Sequence, residues 1–207
     1  MKQRYTFSIN YNLRSLCIHN HLNEIIKALK SKRIIITGGP GSGKTSIINH
    51  IETLGYNCMH EVSRQVIKEA RKAGIEQLFL TDPMLFSHKL MASRLKQFQE
   101  AENIHHPKIF YDRGMPDVTS YLDYIGTEYP SNFEQPCFEN NYDLIFILPP
   151  WKEIYTQDNE RYETFEQAIA IHNHLFNGYE KYGYTLKIVP EGTIEKRVSF
   201  ILKNTAQ

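Results

Sequence analysis

Cysteine is scarce in this sequence of 207 residues, which contains Cys17, Cys58 and Cys137. The three are far apart, odd in number and form no CxxC pair, so they indicate free thiols in a reducing compartment and not a disulfide framework. The histidines do not suggest a metal site, because His19 and His21 are two residues apart and would point to different faces of a helix. We therefore predict no structural zinc.

Long apolar segments are also absent. The longest strong apolar run, residues 144–148, is far shorter than the roughly 18 residues that a membrane span needs. Residues 1–15 lack the apolar core of a signal peptide. We therefore predict a cytoplasmic protein with no membrane attachment.

The sequence has no excess of charge of either sign. Lys and Arg total 24 against 23 Asp and Glu, which gives a formal net charge of +1. Without a bulk basic field the composition does not indicate a nucleic-acid partner, although it allows a local basic site. The hydrophobic fraction of 41% and the charged fraction of 23% are typical of a globular protein, and a chain near 200 residues usually forms one domain.

Short apolar segments alternate with longer amphipathic ones after residue 30. This alternation predicts a parallel sheet covered by helices on both faces, which is a three-layer α/β fold. Residues 1–30 are predicted to be an N-terminal extension and residues 31–207 to be the α/β domain. The predicted strands are residues 33–37, 56–60, 108–112, 143–148 and 186–189.

The most specific motif is GGPGSGKT, residues 38–45, which satisfies G-x-x-x-x-G-K-[ST] between a predicted strand and a predicted helix. Glycines let the backbone aim its N–H groups at phosphate oxygens, and the helix that follows adds its positive end. Lys44 is expected to reach the β- and γ-phosphates, and Thr45 to offer its hydroxyl to Mg²⁺. The predicted nucleotide-binding residues of this phosphate loop (P-loop) are Gly38, Gly39, Pro40, Gly41, Ser42, Gly43, Lys44, Thr45 and Ser46.

Asp112 ends a predicted apolar strand, where an acid can hold Mg²⁺ through water, and Arg113 follows it. Asp112 could instead cap the helix that begins after Gly114. Arg113 could bind a substrate or a phosphate, or pair with Asp117 on the surface.

Glu61 and Arg64 follow the second predicted strand and are three residues apart, which would place them on one face of a helix. A carboxylate at that strand end could accept the proton of an attacking hydroxyl, and the arginine could orient the acceptor. An exposed helical ion pair would explain the same spacing.

A charged segment, residues 149–163, follows the fourth predicted strand. It could close over a bound nucleotide, so that Arg161 or Lys152 neutralises charge on the transferring phosphoryl group. A solvated charged loop would explain the same composition. Trp151 is the sole tryptophan and could be a packing anchor or an interface residue.

These motifs together resemble the deoxynucleoside and nucleotide kinase branch of P-loop proteins. The segments ITGGPGSGKTSII, EVSRQVI, FYDRGMPDV and LPPWKEIY are similar to those of a bacterial "predicted ATPase" family that is grouped with AAA-type ATPases and resembles the nicotinamide riboside kinase domain. The resemblance covers residues 32–202. The sensor region and helical lid domain of ring-shaped AAA+ machines are missing, so a remodelling motor is not expected.

The resemblance implies a P-loop NTPase fold with a five-stranded parallel sheet in the order 2-3-1-4-5. It implies that Lys44 and Thr45 serve the ATP phosphates and Mg²⁺, and that Glu61 is the acid after strand two. Asp112 and Arg113 would face the metal and the acceptor, and Arg161 would be the lid arginine. No N-K-x-D motif follows strand four, which argues against a Ras-like GTPase and leaves GTP open as a donor.

The sequence favours a Mg-ATP-dependent, kinase-like phosphotransferase that acts on a small molecule through a hydroxyl or phosphate acceptor. Glu61, Arg64 and Arg113 are the predicted acceptor-binding residues. Two alternatives stay open. One is an ATPase whose nucleotide state controls a partner, a protein or a nucleic acid, through residues 1–30 or 126–141. The other is a non-catalytic nucleotide sensor.

Overall fold

A computed structural model describes residues 31–155 and 163–205 of the chain. Its five strands form one sheet in the order β2-β3-β1-β4-β5, and every neighbouring pair is parallel. The predicted strand order is therefore confirmed, and the carboxyl ends of all five strands lie at one edge of the sheet. The strands are β1 (Lys32–Gly38), β2 (Asn57–Met59), β3 (Lys108–Asp112), β4 (Leu144–Leu148) and β5 (Leu186–Ile188).

Helices connect the strands and cover both faces of the sheet. Their bounds are α1 (Lys44–Thr53), α2 (Ser63–Lys72), α3 (Leu78–Thr81), α4 (Pro83–Glu100), α5 (Pro116–Tyr124), α6 (Gln135–Glu139), α7 (Phe165–Lys181) and α8 (Ile194–Asn204). Short 3-10 turns span Ala101–Asn103, Ser131–Phe133 and Lys152–Ile154. None of the helices within the described ranges is both long and apolar enough to cross a membrane.

The central strand β1 supplies both sides of the core. Ile35 packs with the cluster that includes residues of α2, α4 and α5, whereas Ile34 and Ile36 pack with residues of α1 and α8. All three side chains are completely buried, as the continuous apolar run predicts for a central parallel strand. The predicted three-layer α/β architecture is therefore confirmed.

Side-chain caps begin three helices. The Asp82 side chain accepts the Leu85 N–H at the start of α4, and the Thr193 side chain accepts the Lys196 N–H at the start of α8. Thr164 forms a capping box with Gln167 at the start of α7. These caps satisfy backbone N–H groups in the first turn of each helix.

One local prediction is wrong. Glu61, predicted to lie inside a helix, precedes α2, which begins at Ser63. The predicted extension, residues 1–30, lies outside the described residues and stays a prediction.

Candidate active site

The P-loop connects β1 to α1 at the carboxyl edge of the sheet. Gly43 adopts a left-handed conformation immediately before α1, and the first turn of α1 contains no acidic side chain, so its positive end is open to an anion. Gly41 also has a positive φ, and a Cβ there would lie 2.4 Å from Tyr155 Cδ2. The loop therefore contains left-handed backbone at Gly41 and Gly43 and a close approach of Tyr155 to Gly41, and glycine permits both because it has no side chain. Thr45 and Ser46 are exposed at its helical end.

Lys44 points back into the loop. Its Nζ donates to the Gly39 carbonyl at 2.7 Å and to Ser42 Oγ at 3.3 Å, and the residue is 8% exposed. Burial lowers the pKa of Lys44 to about 7, and the nearby Arg113 guanidinium acts in the same direction. An anion in the loop would stabilise the charged ammonium, so the site favours phosphate.

Asp112 ends β3 beside the P-loop and is 6% exposed. Its Oδ1 is buried and has no hydrogen-bond partner in the described part of the chain. Burial raises the pKa of Asp112, against the opposing effect of Lys44 and Arg113. Asp112 does not cap α5, because Asp117 Oδ2 accepts the Gly114 N–H at 2.8 Å. A buried carboxylate oxygen without a partner fits a ligand of Mg²⁺.

The described residues contain no cluster of three or more His, Cys, Asp and Glu that could hold a metal ion without other ligands. Magnesium keeps several waters and is usually bound by one or two protein oxygens together with substrate phosphates. Thr45 and Asp112 both line the cleft at the P-loop, so they fit this kind of site and not a closed protein cage.

Glu61 is held between two arginines. Its Oε1 accepts the backbone N–H groups of Val62 at 3.0 Å and Ser63 at 3.1 Å, and lies 3.4 Å from Arg94 Nη2. Its Oε2 lies 2.5 Å from Arg113 Nε. Burial by itself would raise the pKa of Glu61, but Arg94 and Arg113 lower it to about 2. The carboxylate is therefore ionised at neutral pH.

Arg113 makes contacts on several sides. Its side chain is 22% exposed and pairs with Asp117 at 3.3 Å as well as with Glu61, so neither contact is a surface ion pair. Its backbone has φ 74, a left-handed conformation that is uncommon for a residue with a side chain. Burial would lower the pKa of Arg113, but Glu61 and Asp117 raise it above its usual range. The guanidinium stays charged.

Asp117 fixes the turn that presents Arg113. Its carboxylate is 4% exposed and accepts hydrogen bonds from Thr37 Oγ1 at 2.6 Å, from the Gly114 N–H and from the Tyr179 hydroxyl. These donors belong to β1, the turn after β3, and α7. The turn is therefore tied to the centre of the sheet and to the helix that covers it.

Sequence reasoning missed Arg94 and Arg197. Arg94 on α4 is 5% exposed and donates to the Gly114 carbonyl at 2.6 Å. Arg197 on α8 is 3% exposed, donates to the Ser42 carbonyl at 3.0 Å and lies over the Trp151 ring. The sequence offered one signal for Arg94, an arginine among the apolar positions of α4. The hydrogen-bond partners of both arginines are far away in sequence, so the hydrophobic pattern could not reveal these contacts.

One cleft of about 830 Å³, the P-loop cleft, is lined by Lys44, Glu61, Asp112 and Arg113, whereas Arg94, Asp117 and Arg197 lie behind its lining. Its size is that of an ordinary small-molecule site. Lys152 is exposed in the 3-10 turn after β4 and is not among the lining residues, and Arg161 lies outside the described residues. Arg64 and Glu61 both line the cleft, but not from one helical face as predicted. The lining residues are Pro40 to Ser46, His60, Glu61, Ser63, Arg64, Ile67, Lys68, Arg71, Phe79, Asp112, Arg113 and Glu163.

The fold and the phosphate loop define a P-loop NTPase of the kinase-like type. A family model described as "AAA domain" matches residues 33–197, and the chain belongs to that family. This confirms the predicted family resemblance. A comparison with curated protein sequences gives no match.

Solved kinase structures share this fold. Deoxyadenosine kinase from M. mycoides, with dCMP and dCDP bound, has a TM-score of 0.61 and 17% identity over 84% of this chain and 98% of its own. Thymidylate kinase from Ehrlichia chaffeensis has a TM-score of 0.60 and 15% identity over 85% of this chain and 99% of its own.

The NadR protein in complex with NR is also similar, with a TM-score of 0.62 and 15% identity over 97% of this chain and 57% of its own length. At these identities the likeness shows a common fold. The predicted relationship to the kinase branch of P-loop proteins is therefore confirmed at the level of architecture.

Proposed function

We propose that this protein transfers the γ-phosphoryl group of ATP, with Mg²⁺, to a hydroxyl or phosphate oxygen of a small molecule. The observation that carries the proposal is the pairing of Glu61 with Arg113 in the same cleft as Lys44. A kinase needs a carboxylate and a cation next to its donor phosphates, and this cleft contains both. The kinase-like fold supports the same assignment.

The P-loop is the proposed donor site. Its backbone N–H groups and the start of α1 bind the phosphates, and Lys44 leaves the Gly39 carbonyl to contact the β- and γ-phosphates. Thr45 and Asp112, which both line the cleft, would hold a magnesium ion, and this ion would neutralise charge on the phosphate oxygens. The choice of ATP over GTP rests on the family resemblance.

Glu61 is the proposed acceptor-orienting group. The acceptor oxygen forms the new bond to the γ-phosphorus while the bond from that phosphorus to the β,γ-bridging oxygen breaks and ADP leaves with its electron pair. When the acceptor is a hydroxyl, its proton passes to Glu61. Two arginines make this carboxylate a weak base, so orientation is its main contribution, as suits a loose phosphoryl-transfer transition state.

Arg113 is the proposed charge-stabilising group on the transferring phosphoryl. It already faces the P-loop, since its Nη1 lies 3.3 Å from the Gly38 carbonyl. Arg161 is the proposed second arginine, supplied by the segment after β4.

The test follows the γ-phosphate. The protein is incubated with Mg²⁺, γ-labelled ATP and a pool of nucleosides, nucleotides and vitamins, and the labelled products are separated. Lys44→Ala serves as the blank, and we expect it to bind ATP about 10- to 100-fold more weakly because it lacks a charged phosphate contact. Label on a new small molecule is the expected result, and wild-type turnover by Lys44→Ala would contradict it.

The same experiment separates the other functions. Label released only as free phosphate would favour an ATPase switch, and a protein or nucleic-acid partner would then stimulate release. Tight ATP binding without any release would favour a nucleotide sensor. A sensor would also be indifferent to Glu61→Gln.

A further inference from the structure

Arg197 contacts the P-loop from behind. It lies on α8, is 3% exposed and is not among the residues that line the P-loop cleft. Its Nη2 donates to the Ser42 carbonyl at 3.0 Å, and its Nη1 lies 3.0 Å from the point where a Cβ of Gly43 would be. The guanidinium therefore lies against the Ser42–Gly43 peptide, and a side chain at position 43 would crowd it.

This contact sets the direction of one backbone N–H group. The described residues contain no cis peptide bond, and in a trans peptide the C=O and the N–H that follows it point in opposite directions. Because the Ser42 carbonyl is turned toward Arg197 behind the loop, the Gly43 N–H is turned toward the cleft. Within the described residues this N–H has no acceptor. It is therefore available to a phosphate oxygen in the loop.

The segment after β4 and the helix α8 hold Arg197 in place. The Trp151 ring lies over the guanidinium, with its centroid 5.9 Å from Arg197 Cζ. Ile154 Cδ1 lies 3.5 Å from the same Cβ position of Gly43. Val198, the next residue on α8, is buried in the core. An aromatic face attracts a cation, and it does so more strongly where water is excluded, so the orientation of Arg197 is fixed.

Arg197 also brings a charge to the loop. Burial lowers the pKa of Arg197, against the opposing effect of the Glu191 carboxylate, but a guanidinium is not deprotonated in proteins. A hydrogen bond from a charged donor is stronger than one between neutral groups. Successive hydrogen bonds polarise one another, so the bond to the Ser42 carbonyl makes the Gly43 N–H a better donor.

We propose that Arg197 is a positioning residue for the donor phosphates. Through the Ser42–Gly43 peptide it aims and polarises the Gly43 N–H toward a phosphate oxygen, without itself touching the nucleotide. This inference rests on the proposed function for the nucleotide in the P-loop, but it does not depend on phosphoryl transfer. Arg197 therefore acts on the affinity for the donor and not on the acceptor.

The first test measures binding without turnover. Mg-ADP is titrated by calorimetry into the wild type, Arg197→Met and Arg197→Lys. The matched control is Arg33→Met, which removes another buried arginine that lies over an aromatic ring, Phe98, but is not part of the cleft lining. We expect Mg-ADP to bind Arg197→Met about tenfold more weakly, Arg197→Lys to recover most of this loss, and the control to match the wild type.

Two results of this titration would overturn the proposal. One is equal affinity for Mg-ADP in the wild type and Arg197→Met. The other is the same loss in Arg33→Met, which would show that destabilising the domain is sufficient. If Arg197→Met does not fold, Arg197→Gln takes its place and should show the same loss, because its amide nitrogen ends two bonds short of the position of Nη2. Denaturant unfolding of each variant checks that it is folded.

The second test follows transfer to the acceptor that the labelled pool identifies. We expect Arg197→Met to raise the KM for ATP about tenfold and to leave the KM for the acceptor unchanged. A rise in both KM values by the same factor would contradict a role at the donor phosphates. Transfer by a protein whose Mg-ADP affinity does not depend on Arg197 would overturn this inference and leave the proposed function standing. Mg-ADP binding that depends on Arg197, without transfer to any acceptor, would support the positioning role and contradict the proposed function.

Discussion

Arg113 Nε lies 2.5 Å from Glu61 Oε2, although the two residues follow different strands. The register of β2 and β3 explains the contact: Met59 pairs with Tyr111, and two further residues along each parallel strand lead to Glu61 and Arg113. The pair is therefore built into the sheet edge. Because β1 lies on the other side of β3, the same edge also brings the P-loop to this ion pair.

Glu61→Gln is predicted to separate ATP binding from phosphoryl transfer. The amide has nearly the same shape but cannot attract Arg94 and Arg113 as an ion, so the acceptor is less well oriented and we expect kcat to fall about 100-fold. ATP affinity should change little, because the P-loop is intact. Transfer kinetics and ATP titration check both values, and Glu69→Gln on the exposed side of α2 is the control. Unchanged transfer would make Glu61 a purely structural ion-pair partner.

The Glu61 ion pairs are predicted to make stability depend on pH. The pKa of Glu61 is about 2 in the folded protein and 4.5 without its partners, so the pairing is complete above pH 4.5 and is lost as the pH falls toward 2. Between pH 7 and pH 3.5 the wild type should lose about 1 kcal/mol from this group.

Denaturant unfolding of the wild type and Glu61→Gln measures this effect. The difference in the free energy of unfolding between the two proteins should be largest near pH 7 and shrink toward pH 3.5. A difference that stays constant over this range would show that the carboxylate is not stabilised by Arg94 and Arg113.

Arg94→Lys is predicted to impair transfer from a position with no contact to the P-loop. Arg94 uses two nitrogens, one for the Gly114 carbonyl and one for Glu61, and a lysine cannot span both. We expect kcat to fall about tenfold and the apparent pKa of Glu61 to rise, with ATP affinity unchanged. Arg94→Met removes the charge as well and should be worse. Equal kcat in Arg94→Lys and the wild type would contradict a positioning role.

Gly114→Ala is predicted to destabilise the turn that presents Arg113. A Cβ at Gly114 would lie 2.1 Å from Ile35 Cδ1 and 2.9 Å from the Tyr179 hydroxyl, inside the packed core. We expect a loss of about 1 to 3 kcal/mol in the free energy of unfolding, together with reduced transfer. Gly126→Ala is the comparison, since it has a positive φ and no atom within 4 Å of its Cβ. Equal transfer by the two variants would contradict the prediction.

Local sequence patterns predicted the parts of the site that depend on neighbouring residues. The P-loop depends on its own glycines and on the strand and helix around it, and the structure contains them where the sequence indicates. The Asp82 and Thr193 caps were predictable for the same reason. The start of α2 was not, because the Glu61 side chain, drawn toward Arg94 and Arg113, accepts the first N–H groups ahead of the helix.

The sequence alone determined that five apolar strands and amphipathic helices would form a three-layer domain around a phosphate loop, because periodicity and glycine placement act over a few residues. Only the tertiary structure decided that Arg94 and Arg113 both reach Glu61, and that Arg197 supports the Ser42 carbonyl. Those contacts join residues 33, 52 and 155 positions apart. Such distances carry no periodic signal, and the register of the parallel strands and the packing of α4 and α8 set them.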